Sequence, residues 1–201
     1  MVIDKNEIYF CKIYRQSNIK LQRSATAMQH LNLQPTLENS RVILQPLQES
    51  DFEALYKVAS DPEIWEQHPA KERSEREGFS KFFDDAMKTK TAFVIIDKET
   101  DEVIGSTRYS LSKELPNAIE IGWTFIAKKY WGTDYNKSIK ALMIDYAFHY
   151  FDTILFYIDK NNFRSQKAVE KMGAQRISSL NGKTLEIRPQ AACIYCLEKK
   201  A

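Results

Sequence analysis

The sequence predicts an α/β (α+β) domain, with one mixed, mostly antiparallel sheet carrying helices on both faces. Three observations lead there. Strand-like and helix-like stretches follow one another in the order β-α-α-β-β-β-α-β-α-β-β. Three of those strands run consecutively with short turns between them, which makes an antiparallel meander. Finally, the stretch 118–140 delivers a strand through a short basic turn (Lys128, Lys129, Gly132) directly onto a helix. At such a junction the first backbone N–H groups are free and the helix dipole favours negative charge, so it can hold an anion.

The chain of 201 residues is 43% hydrophobic and 28% charged, enough for one globular domain with a substantial core. A net charge of +2 is too balanced to suggest a nucleic-acid partner. There is no run of about 18 apolar residues. Residues 1–10 alternate charge with hydrophobicity, unlike the apolar block of a signal peptide. A cytoplasmic protein with no membrane partner is therefore expected. His30, His68 and His149 form no ligand pattern, and no metal is expected. Cys193 and Cys196 have C-x-x-C spacing without a second pair. In a terminal strand, residues three apart face opposite sides, so these two read as buried structural thiols.

Taken in order, residues 1–39 mix Lys, Arg, Gln and Ser without a sustained period. They read as an extension outside the domain of residues 40–201, either mobile and loosely docked or a partner-binding arm. Within it, 23–33 could form a helical turn or two before Pro35. Residues 41–47 are the first core strand. Ser50 with Glu53 makes a capping box for a helix carrying Phe52, Leu55, Tyr56 and Val58. Asp61-Pro62 ends that helix. Trp65 and His68 then stand out in a polar connection, either tucked into the core edge or lining a ligand pocket. Ser74, with Glu77 at the box position, is expected to cap a second helix whose stripe is Phe79, Phe82, Phe83, Ala86 and Met87.

Residues 91–96 and 102–111 pair as a hairpin, and Pro116-Asn117 turns the chain into strand 118–126. A long helix, about 134–150, presents Ile139, Leu142, Met143 and Tyr146 on one side. A short apolar strand (153–158) and a polar turn (159–162) come next. The helix 165–172 buries Ala168 and Val169 and stops at Gly173. Residues 175–180, the Asn181-Gly182 turn and a strand near 191–197 close the sheet.

Four segments carry a family resemblance: the strand 41–47 with its Ser50-Asp51 cap; Val103-Ile104-Gly105-Ser106; Glu120-Ile121-Gly122-Trp123 followed by Tyr130-Trp131-Gly132; and Asn162-Phe163-Arg164-Ser165 through Glu170-Lys171-Met172-Gly173. In this order and spacing the chain from residue 41 onward resembles the GNAT superfamily of acyl-CoA-dependent N-acyltransferases, and within it the RimJ/RimL-like branch, which acetylates protein N-termini and other amines. The resemblance implies a GNAT-like sheet splayed between strands 4 and 5, with acetyl-CoA as co-substrate. Its pantetheine arm would lie beside Thr124, Phe125 and Ile126. Its pyrophosphate would sit on the turn Trp131, Gly132, Thr133, Asp134, Tyr135, Asn136 and Lys137, with Lys128 and Lys129 adding positive potential. Asn162 would bond the arm and fix the turn before its helix.

The resemblance further implies Glu120 as the base for the acceptor amine; the other reading is a solvent-facing glutamate. Where many relatives carry a tyrosine that protonates the leaving thiolate, this chain has Val169, which cannot. Ser165 either hydrogen-bonds the thiol or caps its helix. The family's phosphate turn has a glycine where Asp134 stands, which brings a Cβ and a carboxylate close to arriving phosphates. Asp134 also makes a good helix N-cap. Two functions are compatible with this: acetyl transfer from acetyl-CoA to a primary amine (a protein N-terminus or a small molecule), or a catalytically weak GNAT-fold module that binds ligands or partners. Acceptor specificity is expected from 61–73 and 173–189, with Trp65, His68 and Tyr109 as pocket walls. The assembly is expected to be a monomer or homodimer.

Overall fold

The computed structural model describes residues 31–112, 115, 117–180, 183–185 and 193–199. The sequence readings for residues 1–30, for Pro116, for Asn181-Gly182 and for 186–192 lie outside the described residues. A compact unit comprises Leu33–Ala201.

Its elements are β1 (Val42–Pro46), α1 (Phe52–Ala59), α2 (Arg76–Thr89), β2 (Ala92–Asp97), β3 (Val103–Leu111), β4 (Ala118–Ile126), α3 (Tyr135–Ala147), β5 (Thr153–Ile158), α4 (Phe163–Glu170), β6 (Gln175–Ile177) and β7 (Cys193–Glu198). This is the order read from the sequence. The main sheet runs β1-β2-β3-β4-β5-β7-β6, with the short segment Leu37–Glu38 added at the β1 edge. Ser179–Leu180 and Lys183–Thr184 form a separate antiparallel pair. Every neighbouring pair in the main sheet is antiparallel except β4 and β5, which are parallel.

α1 and α2 cover one face of the sheet. Their Leu55, Ala59, Phe79, Phe82, Phe83 and Ala86 pack with Trp65, Val94 and Phe125 in one buried cluster. Each fully buried Leu, Val or Phe among them is worth roughly 1.5–3 kcal/mol relative to exposure. α3 lies on the other face, where the Tyr109 hydroxyl donates to the Met143 carbonyl at 2.6 Å. α4 is on that face too. Tyr195 of β7 stands opposite Phe156 and its hydroxyl meets Glu170 at 2.9 Å. Phe156 and Ile154 share the side of Ile119 and Ile121, the side of Tyr109.

The helix starts differ from the sequence reading. α1 is preceded by a 3₁₀ turn, Glu49–Asp51, in which the Gln48 N–H donates to Asp51 Oδ2 at 2.8 Å. Ser50 is inside that turn and caps nothing, and Glu53 instead pairs with Arg76. Ser74 likewise ends a 3₁₀ turn, donating back to the Lys71 carbonyl at 3.0 Å, so α2 begins at Arg76. In both places a short turn consumes the hydroxyl or carboxylate locally before the helix opens. Cys193 and Cys196 are buried free thiols opposite Ile158 and Leu155. They therefore face opposite sides, as the strand period requires. Burial pushes Cys196 up to about 11.

Two irregularities set β4 apart from its neighbours. On its β5 side the ladder consists of Ala118–Thr153, Ile119–Ile154 and Glu120–Leu155, while β4 continues to Ile126. The strands thus diverge beyond Glu120. On the β3 side, Arg108 faces Gly122 and Ser106 faces Phe125, leaving one extra residue in β4. Trp123 occupies that bulge with a φ of 51°. The strands come so close beside it that a Cβ on Gly105 would lie 2.0 Å from the Phe125 carbonyl oxygen.

Candidate active site

The turn between β4 and α3 is held from beneath. Asp97, 2% exposed at the end of β2, accepts from the Tyr130 hydroxyl at 2.6 Å, the Tyr135 hydroxyl at 3.0 Å and the Glu99 N–H at 3.0 Å. Burial alone would raise its pKa, but these bonds together with one from Thr100 more than reverse that, leaving it below the usual carboxylate range. The ring of Tyr130 packs against that of Tyr135 at 4.4 Å. Above this base Gly132 turns at a φ of 75°, and a Cβ there would meet nothing within 4 Å. Thr133 donates to the Tyr130 carbonyl at 2.6 Å. The first backbone N–H groups of the thirteen-residue α3, with Asn136 and Lys137 in its opening turn, come directly after. An anion fits this open turn.

Asp134 takes the N-cap position, but through its backbone: its carbonyl accepts from the Ser138 N–H at 2.9 Å while its carboxylate makes no cap bond. The side chain, 69% exposed, lies 4.0 Å from Arg41. The expected carboxylate cap is therefore absent, because an αR residue (φ −77°) aims its side chain away from the helix start. Lys128 and Lys129 are committed as well, to Glu63 at 2.6 Å and Glu102 at 2.5 Å, which offsets much of the potential expected from them. The Arg164 guanidinium lies 3.8 Å over the Trp131 ring and donates to the Ile64 carbonyl at 3.1 Å, tying the start of α4 to this turn.

In the divergence between β4 and β5, Thr124 faces α3. Its hydroxyl is 2.8 Å from that of Thr107 and accepts from Lys140 Nζ at 2.5 Å. Lys140 is 5% exposed, and desolvation lowers its pKa to about 7. The Phe125 side chain belongs to the opposite core, 5.3 Å from the Trp65 ring and 6.0 Å from Phe82. Only its main chain borders the divergence. The Ile126 carbonyl accepts from the Trp131 indole N–H at 3.1 Å.

Asn162, not Ser165, caps α4: its side-chain oxygen accepts from the Ser165 N–H at 3.0 Å. The helix opens at Phe163, two residues earlier than the sequence reading, which puts Ser165 inside the first turn and excludes the cap role for its hydroxyl. Val169 is buried one turn further on.

Glu120 is the last β4 residue paired with β5 and is 4% exposed, which removes the solvent-facing alternative. Its Oε1 stands 3.2 Å from where a Cβ on Gly122 would be, on the face covered by α1 and α2. On that same face a cavity of about 420 Å³ is lined by Arg73, Phe82, Arg108 and Trp123, with Glu72, Glu75, Glu77, Lys81 and Asp85 also contributing. The expected pocket walls lie elsewhere. Trp65 is 4% exposed and donates to the Ala59 carbonyl at 2.7 Å. Tyr109 is fully buried under α3. His68 accepts from the Ala70 N–H at 3.0 Å, and burial lowers its pKa to about 4. Their apolar bodies outweigh their polar tips, so all three join the packing. The sequence reading singled out neither Arg108 nor, within the 61–73 connection, Arg73 as a wall of this cavity. The signal that could have found them was Arg108 itself, a cation between Thr107 and Tyr109 in an otherwise inward-facing strand.

Comparison with known proteins gives a consistent picture. A family model described as the acetyltransferase (GNAT) domain matches residues 41–175. The chain is 29% identical over 118 residues to an uncharacterized N-acetyltransferase, p20, from Bacillus licheniformis; the match covers 56% of this chain and 66% of that protein, slightly under two thirds of its length. Its fold is similar to the crystal structure of a GNAT-family acetyltransferase from Bacillus anthracis, with a TM-score of 0.64 at 18% identity over 82% of this chain and 98% of that one. It is also similar to spermidine N-acetyltransferase from Vibrio cholerae in complex with CoA and spermine, with a TM-score of 0.57 at 16% identity over 79% and 94% of the two chains.

Proposed function

The chain belongs to the acetyltransferase (GNAT) domain family, and from that premise we propose that it transfers an acetyl group from acetyl-CoA to a primary amine, in the manner of the RimJ/RimL-like branch. The observation that carries this reading is the parting of β4 from β5 beyond Glu120, which leads to an open glycine turn at the start of α3. Main-chain groups of Thr124, Phe125 and Ile126 border the parting and would hold an extended amide chain. The turn from Trp131 to Lys137 would take the pyrophosphate on backbone N–H groups. Asn162 supports the far wall by fixing the first turn of α4.

Glu120 is the residue we assign to the acceptor amine. An ammonium must lose a proton before it attacks, and Glu120 is the carboxylate beside the β4 bulge. A main-chain N–H at the bulge would polarise the thioester oxygen. Ser165, one turn before Val169 on α4, is the residue we assign to donate a hydrogen bond to the sulfur, the role that Val169 cannot fill. Positioning the two substrates together supplies the remainder.

Asp134 favours a second reading, a catalytically weak module that binds ligands or partners. Its carboxylate is exposed at the phosphate turn with only a distant arginine beside it. Calorimetric titration of the full chain with acetyl-CoA separates the two readings. Saturable binding is expected. No binding at millimolar ligand would overturn the transferase reading and leave the module.

A further inference from the structure

Arg108 is buried (5% exposed), yet among the described residues its guanidinium donates no hydrogen bond, makes no ion pair, and leaves its Nε without a partner. It is stacked instead, 4.7 Å over Trp123 and 5.5 Å over Phe82. Arg73 lies 4.4 Å over the same Phe82 ring. Of the three cations lining one cavity of about 420 Å³, Lys81 is exposed and paired with Glu77, while Arg73 and Arg108 have aromatic faces, rather than carboxylates, in contact with them. Burial, then Arg73 beside it, lower Arg108 to about 10 against the opposing pull of Asp85 and Glu120, neither of which contacts it, so it stays charged at neutral pH. A buried charge without a contacting counter-ion is costly, and an anion supplied by a ligand relieves the cost.

The cavity's acids are arranged differently. Glu72, Glu75, Glu77 and Asp85 are solvent-exposed, and Glu77 and Asp85 already meet Lys81 and Lys88. Water weakens their field, while the buried guanidinium acts at lower dielectric. A ligand entering here passes an acidic rim and ends on a cationic floor. That sequence suits a molecule carrying both charges. It disfavours a polycation, which would meet Arg108 and Arg73, and a dianion, which the rim repels.

We propose that this cavity is the acceptor site and that the acceptor is a small zwitterion of the amino-acid type, its carboxylate held by Arg108 and its amine directed to the β4 bulge. This rests on the acetyltransferase reading. Glu120 and Arg108 flank Gly122 on one face of the sheet, so the proton acceptor and the carboxylate holder are neighbours. The transfer forms the N–C bond and breaks the C–S bond. Of the two protons that the ammonium loses, one leaves through Glu120 to solvent and one ends on the sulfur.

The test uses the full chain, acetyl-CoA and thiol detection with four kinds of acceptor: the common amino acids, the amide of the best one, phosphoethanolamine, and spermidine. A free amino acid should be preferred, and its amide should lose about 10- to 100-fold in kcat/KM, as expected for a lost charged hydrogen bond. Arg108→Gln should bring the acid-to-amide ratio close to one. Equal use of the amide or of spermidine by the unaltered chain would overturn the proposal without reference to any variant. So would a ratio preserved in Arg108→Gln, or a preference for phosphoethanolamine. If acetyl-CoA binds but no amino acid is acetylated, this inference falls while the acetyltransferase reading stands. If acetyl-CoA does not bind, that reading has failed, and titration with amino acids alone, followed by tryptophan fluorescence, decides this one: a saturable response supports it and no response overturns it.

Discussion

Two cations are buried on opposite faces of the same two strands, and they solve the same problem in different ways. Arg108 lies under α1 and α2, and Lys140 reaches the sheet from α3; each is 5% exposed. Neither has a carboxylate in contact among the described residues. The guanidinium is weakly hydrated and delocalised, so it tolerates aromatic faces and keeps its charge, with a pKa still about 10. The ammonium is compact and strongly hydrated; burial lowers it to about 7, and its hydrogen bond goes to Thr124. Side-chain type therefore decides which face of β4 carries a permanent charge at neutral pH. The face with the permanent charge also carries Glu120 and the cavity.

The sharpest way to break this contrast is at Glu120. If chemistry occurs on the Arg108 face, Glu120→Gln should lower kcat by about 100-fold or more, as for loss of a positioned base. Acetyl-CoA affinity should hardly change, because the turn proposed for its phosphates is held by Asp97, Tyr130 and Tyr135 at the far end of β4. Steady-state kinetics alongside calorimetry reads both. Full turnover in the variant would show that the amine loses its proton elsewhere.

Lys140 offers a test on stability. Its pKa is lowered on folding, from an ordinary value near 10.5 to about 7. Between those values the unfolded chain binds the proton and the folded chain does not, so stability rises with pH across that window. Below about pH 7 both states are protonated and the full cost of burying the charge is present. Lys140→Met removes the titration. It should be more stable than the parent by a few kcal/mol at pH 6, with the advantage shrinking toward pH 10. Urea melts across that range check it. An advantage independent of pH would mean that Lys140 keeps its ordinary pKa in the fold, as a hydrated and charged side chain.

These two faces also show how far sequence patterns reach. The element order was legible because each core strand and helix carries its own period, as in Phe79, Phe82, Phe83 and Ala86 along α2. The β4-turn-α3 junction was legible too, since Gly132 and the helix after it are local features. What escaped was non-local. The bulge at Trp123 depends on how β3 and β4 register, not on any residue that demands a positive φ. The support of the turn by Asp97 joins residues 33 and 38 positions apart. Arg108 and Arg73 became a pair only when β3 and the approach to α2 were brought around Phe82. Trp65 and Tyr109, chosen as pocket walls for their aromatic character, were instead needed by the core.

The smallest expected effect concerns an exposed charge, Asp134, and it separates two explanations that the sequence merges. A glycine at this position could serve by its conformational freedom, by leaving room, or simply by lacking a charge. Asp134 has a φ of −77°, which any residue adopts, so freedom of the backbone is not what the turn lacks. Its carboxylate is 69% exposed and forms no cap bond, so helix stability does not depend on it. What remains is repulsion of an arriving pyrophosphate, about 1 kcal/mol at such exposure. Asp134→Gly should therefore tighten acetyl-CoA binding about fivefold, with the gain fading as salt is raised. Asp134→Asn keeps the Cβ and removes the charge, and it should recover most of that gain. If Asn leaves the affinity at the parent value while Gly improves it, space rather than charge limits the turn. If neither variant changes it, the pyrophosphate does not approach Asp134 at all.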